Sequence, residues 1–433
     1  MDCVSTRDQT LRVSLGQALR EGLAPDGGLY VPRELPSFVP EDFASLDDLP
    51  SIAARLLQPF FAGEPLAPNL SEICREAFNF PVVLLPLARN GHAFHALELF
   101  HGPTAAFKDF GARFLAACMV RQPQSPAGVT ILVATSGDTG GAVAAAFHGR
   151  PGVSVVILFP DGRVSPRQAH QLCCWGGNVA AYRVAGEFDD CQAMVKAALS
   201  DRELQARRPL SSANSINIGR LLPQCAYYAL TSLQLWRESG RKADFIIPSG
   251  NLGNACACLW ARAMGLPVGR VVLAHNANLT VPDYIAGKGW QPRPSVATLA
   301  SAMDVGNPSN MERIRWLYQD ENLLRQELTA ESVLDPDIRR RIVADHRELG
   351  VTWCPHTATA AELHARWVES GTADGQWVVV ATAHPAKFEQ VVEPLIGATV
   401  DLPPALAELL HRPAESSRLA ARPAALRAAL LGA

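Results

Sequence analysis

The sequence predicts an α/β protein built on mostly parallel sheets, and three observations carry that expectation. Short, β-branched apolar runs recur: VTILVA (129–134), VSVVILF (153–159), DFIIP (244–248), RVVLAH (270–275) and WVVVAT (377–382). Each is apolar throughout rather than alternating, which is how a strand buried on both faces reads. Helical patterns such as FDDCQAMVKAALSDRELQ (188–205) and NACACLWARAMG (254–265) lie between them, the alternation of βαβ units. Finally, glycine- and hydroxyl-rich loops follow several of these runs, and in parallel sheets ligands collect at the carboxyl ends of strands.

The 433 residues, 48% of them hydrophobic, are enough for two or three domains with their own cores. Residues 1–95 are mixed in character, with a turn-rich patch, GLAPDGGLYVP, at 22–32. A smaller α/β domain is expected over 96–215 and a larger one over 216–402. The Ala-, Arg- and Pro-rich stretch 403–433 reads as a helical or loosely packed tail. Net charge is −3 with no long charge run, which argues against nucleic acid or an anionic membrane surface as partner. No apolar stretch reaches spanning length, and MDCVSTRDQT lacks the basic and apolar regions of a secretory leader. Ten cysteines show no CxxC pair, so reduced, buried thiols in a cytoplasmic protein are expected, with no metal site.

Five segments carry chemistry. HGPTAAFKDFGARF (101–114) places Lys108, one of only five lysines, where an apolar run turns helical. Unlike arginine, a lysine can lose its proton near neutral pH and condense with an aldehyde. ATSGDTGGAVAAAF (134–147) offers Thr135, Ser136, Thr139 and Gly140 at a helix start, a setting for a carboxylate or phosphate; an ordinary helix cap fits it too. PSGNLGNACA (248–257) joins glycines that admit close backbone approach to two asparagine side chains, as a phosphate cup would. SSANSINIGRLLPQ (211–224) crowds Asn214, Ser215, Asn217 and Arg220 before a helix, a second anion site or a capping cluster. ATAHPAKF (381–388) ends a strand at Thr382 and suits either a tight turn or a binding role. Neither GxxxxGK[ST] nor GxGxxG occurs. An amine, a phosphate cup, a carboxylate loop and a further cationic anion site together suit pyridoxal 5′-phosphate and a doubly anionic amino acid.

In order and spacing, HGPTAAFKDFG, ATSGDTG, NSIN, GNLGN and TAHPAKF resemble the threonine synthases of the longer bacterial and fungal type. STR at 5–7, LAPDGGLYVP at 23–32, FDDCQ at 188–192 and AMDVGNPSNMER at 302–313 do so too. The likeness spans residues 4–400. It implies fold type II of the pyridoxal-phosphate enzymes, with two mostly parallel α/β domains, the cofactor in their cleft and an N-terminal extension. It implies that Lys108 bonds the cofactor and later serves as base at Cα. Gly250, Asn251, Leu252, Gly253 and Asn254 would hold the cofactor phosphate, Asp138 would lie near its phenolic oxygen, and Thr382 would meet its pyridine nitrogen. Thr135, Ser136, Gly137 and Thr139 would receive the substrate carboxylate. Asn214, Ser215, Asn217 and Arg220 would receive the phosphate of O-phospho-L-homoserine. The expected product is L-threonine, with elimination to 2-oxobutyrate, or a related phospho or phosphono substrate, as the alternative. A monomer or homodimer is expected. The chain departs from the family pattern at Ile218–Gly219 (Trp-Ala in the family), Gly306–Asn307 (Ser-Met) and Cys354 (Asp before Pro-His-Thr).

Overall fold

The computed structural model describes residues 1–122 and 128–432, arranged around three sheets. The first comprises β1 (Asp2–Ser5), β2 (Arg12–Ser14) and β3 (Tyr30–Pro32), antiparallel in the order β2-β1-β3. β4 (Val83–Arg89) and β5 (His92–Glu98) form a hairpin at one edge of the large sheet. β6 (Val129–Ala134), β7 (Val153–Pro160), β8 (Val179–Ala185) and β9 (Leu210–Ser212) belong to the small sheet. β10 (Ala243–Pro248), β11 (Val268–His275), β12 (Leu328–Ser332) and β13 (Trp377–Ala381) complete the large one, and β14 (Ser417–Ala420) returns to the small one. The large sheet runs β12-β11-β10-β13-β5-β4, parallel except for the β4–β5 pair. The small sheet runs β14-β8-β7-β6-β9 and is parallel throughout.

All five apolar runs form strands, and their sequence pattern has a packing cause. In β6, Ile131 and Val133 join the central core, while Leu132 and Ala134 pack with the other face against Met194, Val195 and Leu426. In β10, Phe245 and Ile247 face one core and Ile246 the other. A strand with helices on both sides has no solvent face to mark with polar residues. The helical reading of 188–205 is broken once: Asp201 ends the helix Phe188–Ser200 and caps Arg202–Arg207 by accepting the Leu204 N–H at 3.0 Å.

Two expected boundaries are corrected. A division at 95/96 cuts β5, which pairs in parallel with β13 of the large sheet, so the segment preceding the lysine belongs to the larger half. The 403–433 stretch is not a loose tail. It supplies β14, paired with β8, and a helix, Pro423–Gly432, whose Leu426 and Leu430 are buried against the small sheet. The run expected as one helix after NSIN is a short turn, Ile218–Leu221, a 3-10 turn at Pro223, and then Cys225–Ser239.

The N-terminal sheet is tied to the rest by Arg313, which is fully buried without a carboxylate partner among the described residues. Its Nε and Nη2 donate to the Tyr30 carbonyl at 3.1 and 3.0 Å, Nη1 to the Ser215 carbonyl at 2.8 Å and Nη2 to that of Ile216 at 2.6 Å. Three segments distant in sequence thus share one guanidinium. Arg313→Met leaves those carbonyls without donors, so it is expected to cost about 3 kcal/mol, read as a lower denaturant midpoint for the full chain.

Candidate functional site

One cavity lies where the carboxyl ends of the two parallel sheets meet, and its position follows from how the chain leaves β5. The loop after β5 is stitched to the end of β13. Leu99 N donates to Ala381 O at 3.0 Å, Phe107 N to Thr382 O at 2.9 Å, and His384 N to Ala105 O at 3.0 Å. The helix Lys108–Arg121 starts directly after this seam, so Lys108 stands on the cavity wall beside Thr382. Farther along it, Phe110 and Phe114 pack on Phe78. At Gly111 a Cβ would come within 2.4 Å of the Arg220 carbonyl oxygen, and this is what lets the Arg220 segment approach the lysine helix.

Lys108 appears in no hydrogen bond or ion pair among the described residues; the Phe107 ring centroid is 5.7 Å from Nζ. Burial pushes its ammonium down to about 8. The Asp138 charge opposes that, and Lys387 and Arg220 reinforce it. The site therefore holds an amine whose neutral fraction near physiological pH is far larger than that of a lysine in water, though the charged form still prevails there.

The phosphate cup is built by the turn after β10. Leu252 takes a left-handed conformation at φ 62°, a strained state for a branched side chain, and the helix Gly253–Ala263 begins at the next residue. A Cβ at Gly250 would lie 2.7 Å from Met303 Cα, so only glycine leaves the cup its wall. Asn254 Oδ1 accepts from Tyr227 and Tyr228 hydroxyls at 2.6 and 2.8 Å, while its Nδ2 is buried without a partner. A helix N-terminus with an orphaned amide donor fits an anion. The Asn251 side chain is largely committed elsewhere. Nδ2 donates to Ser215 Oγ at 2.7 Å, and Oδ1 accepts from the Ser309 amide at 2.7 Å and hydroxyl at 2.9 Å. One Nδ2 proton remains beside its backbone for the cup.

Of the sixteen residues expected at the site, fourteen line this cavity: Lys108, Thr135, Ser136, Asp138, Thr139, Asn214, Ser215, Arg220, Gly250 to Asn254, and Thr382. Two do not, and the reason is local. Asn217 caps the turn at 218–221: Oδ1 accepts from Gly219 N at 2.9 Å, and Nδ2 donates to Leu19 O at 2.9 Å and Ser212 O at 3.0 Å. It is a buried brace and has no polar atom left for a substrate. Gly137 and Gly140 both donate to Thr135 Oγ1 at 2.9 Å, so these amides are spent inside the loop. The Ser136 and Thr139 hydroxyls remain on the wall without partners among the described residues.

Arg220 is 2% exposed and has no carboxylate within ion-pair distance among the described residues. Nη1 donates to Ala213 O, and Nε is buried without a partner. Burial draws it down to about 10, against the attraction of Asp109. An uncompensated buried guanidinium is costly unless an anion arrives. Ser215 Oγ accepts from Asn251 and Asn310 amides at 2.7 and 3.2 Å, which leaves its own proton for the cavity.

The sequence reading missed His356 and Asp304, both on the cavity wall. His356 Nε2 accepts from Ala302 N at 3.0 Å, and burial pushes its pKa down to about 4, so it is a neutral acceptor that pins the 302–305 loop. Burial raises Asp304 to about 6, against donors from Thr298 and Asn276. The departures lie behind the wall. Cys354 Sγ accepts from Thr357 N at 3.4 Å, and Thr357 Oγ1 in turn accepts from Thr382 N at 3.3 Å. A Cβ at Gly219 would meet Leu19 at 2.4 Å, and one at Gly306 would run into the Arg293 carbonyl.

Known proteins are similar to this chain along its length. The model of the pyridoxal-phosphate dependent enzymes matches residues 76–383. Models of the threonine synthase N terminus and C-terminal region match 2–78 and 357–430. The threonine synthase of Escherichia coli K12 is 41% identical over 429 residues, covering 99% of this chain and 98% of that protein. The one from Pseudomonas aeruginosa is 34% identical, covering 95% and 94%. The crystal structure of the Escherichia coli enzyme superposes with a TM-score of 0.91 over 100% of both chains at 40% identity. That of the pyridoxal-phosphate-bound threonine synthase of Brucella melitensis gives 0.88 at 32%, covering 99% and 98%.

Two measurements test the geometry. In the cofactor-free full chain, carbamylation of Lys108 by cyanate should rise with pH to a midpoint near 8, as peptide mass spectrometry would show. Gly111→Ala should push the Arg220 backbone away and lower the affinity for inorganic phosphate about tenfold, the effect of roughly 1.4 kcal/mol, in a calorimetric titration.

Proposed function

This chain belongs to the threonine synthases and to the pyridoxal-phosphate-dependent enzymes, and from that premise we propose how its cavity works. It acts as a threonine synthase. The reaction we assign is O-phospho-L-homoserine plus water giving L-threonine plus inorganic phosphate. The observation that carries the assignment is the pairing of two separate anion-binding groups, the Asn254 cup and the uncompensated Arg220, around one amine whose pKa is brought down to about 8.

The residues fit pyridoxal phosphate: the cup takes its phosphate, Asp138 and Thr382 its ring, and Lys108 its aldehyde. When bound, the cofactor supplies a conjugated ring that takes up the electron pair left at Cα. Lys108, with a pKa near 8, is suited to accept the Cα proton and to return it at the end. Thr382 offers a hydroxyl rather than a carboxylate to the ring nitrogen, which moderates the electron sink. Ser136 and Thr139, at the start of the helix Asp138–Phe147, hold the substrate carboxylate. Ser215 and Arg220, with Asn214 beside them, hold the phosphate, which leaves from Cγ before water adds at Cβ. The 302–305 loop, pinned by His356, closes over the cup and limits stray water. Ten free thiols suit a reducing compartment, and we place the protein in the cytoplasm.

Supplied with O-phospho-L-homoserine, the enzyme should release threonine and phosphate in equal amounts. Release of 2-oxobutyrate instead would overturn the assignment in favour of an eliminating lyase. Arg220→Met should lower kcat/KM about 100-fold, the loss of roughly 3 kcal/mol of buried charge pairing, while the variant still takes up the cofactor and shows its visible band.

A further inference from the structure

Lys387 is the one charged group close to Lys108 to which the reading above gives no task. It is fully buried, on the turn Pro385–Phe388 that follows β13 of the large sheet. Its Nζ lies 2.8 Å from Asp138 Oδ1 and donates to Thr104 O at 2.7 Å. Asp138, 4% exposed, opens the helix after β6 of the small sheet. Gln168 Nε2 also donates to Oδ1, at 3.0 Å, and Oδ2 accepts no hydrogen bond among the described residues. The turn is gripped by the small-sheet side: Ser165 Oγ donates to Lys387 O at 3.0 Å and Arg167 Nη1 to Ala386 O at 2.6 Å.

We propose that Lys387 is a positioning residue: reaching from the large-sheet half, it seizes Asp138 Oδ1 on the small-sheet half and leaves Oδ2 facing the cavity that Lys108 lines. A buried carboxylate with one oxygen locked by an ammonium and an amide has a single orientation. The pair therefore joins the two halves behind the cofactor position and fixes the charge that Lys108 meets. Four charged or titratable groups face Lys108: Asp138 at the small-sheet helix start, Lys387 on the turn after β13, Arg220 on the 218–221 turn, and His356 on the helix Pro355–Glu369. Burial works against the Asp138 charge, but Lys387 and Lys108 outweigh it and hold its carboxyl below the usual range. Arg220 is left in place when Lys387 is exchanged, and His356, though relieved of one cation, is still held neutral chiefly by burial, so the variant reports mainly the Asp138–Lys387 contribution.

The signs differ for the two partners. Removing the Lys387 charge takes away a cation that disfavours protonation at Lys108 and leaves Asp138 uncompensated, so protonation at that nitrogen becomes easier. Removing the Asp138 charge makes it harder. The inference rests on Lys108 bearing the cofactor, and the test separates the two. In the loaded full-length enzyme the pH midpoint of the visible absorption band is recorded for the parent, Lys387→Met, Lys387→Arg and Asp138→Asn. The midpoint should move to higher pH in Lys387→Met and to lower pH in Asp138→Asn, and stay near the parent value in Lys387→Arg. Should Lys387→Met not fold, the Asp138→Asn/Lys387→Met double variant buries no unpaired charge, and its midpoint should lie close to the parent's. Shifts of the same sign in both single variants, or none, would overturn the positioning role, as would a double variant displaced as far as Asp138→Asn. A parent without a visible band would instead remove the Lys108 reading itself.

Discussion

The site depends on a lysine amine kept from its usual charge by burial. The Lys108 side chain gains no hydrogen bond or ion pair among the described residues, and two further cations, Lys387 and Arg220, stand near it. Together these terms outweigh the attraction of Asp138 and bring the amine within reach of neutral pH. A lysine in water would be almost wholly protonated and useless as nucleophile or base. The position that achieves this is set by backbone. The stitch between residues 99–107 and the end of β13 puts Lys108, half-buried, on the wall of the cavity between the two sheets.

The remaining chemistry is arranged around that amine as a set of unfilled anion positions. Asn254 keeps one donor orphaned while two tyrosines saturate its oxygen. Arg220 is buried without a counter-ion, and Ser215 has its lone pairs taken and its proton left over. Each is unfavourable in isolation. Their cost makes sense for a pocket that exchanges it for binding of a cofactor phosphate and a substrate phosphate.

Much of this was legible in the sequence, because buried parallel strands and helix-start loops have local signatures. The five apolar runs are strands, and the lysine, the cup and the SGDTG loop converge as the motifs imply. What was not legible depends on contacts distant along the chain. Asn217 looks like an anion donor until Leu19 of the N-terminal region arrives to take its amide. β5 pairs with β13 and β14 with β8, and no local pattern reports a partner across hundreds of residues. From sequence Lys387 reads equally as a surface charge or as a group near the cofactor, and only the 2.8 Å contact with Asp138 decides between them. His356 was hidden in a segment noted only for Cys354, whose thiol replaces a carboxylate as a helix cap and leaves the cavity wall intact.

The claim at the centre is that one amine out of five carries the cofactor. Borohydride reduction of the loaded protein, followed by peptide mapping, tests it directly. The account predicts a single stable pyridoxyl adduct, on Lys108. An unlabelled Lys108, or an adduct on Lys387 or any surface lysine in its place, would contradict it.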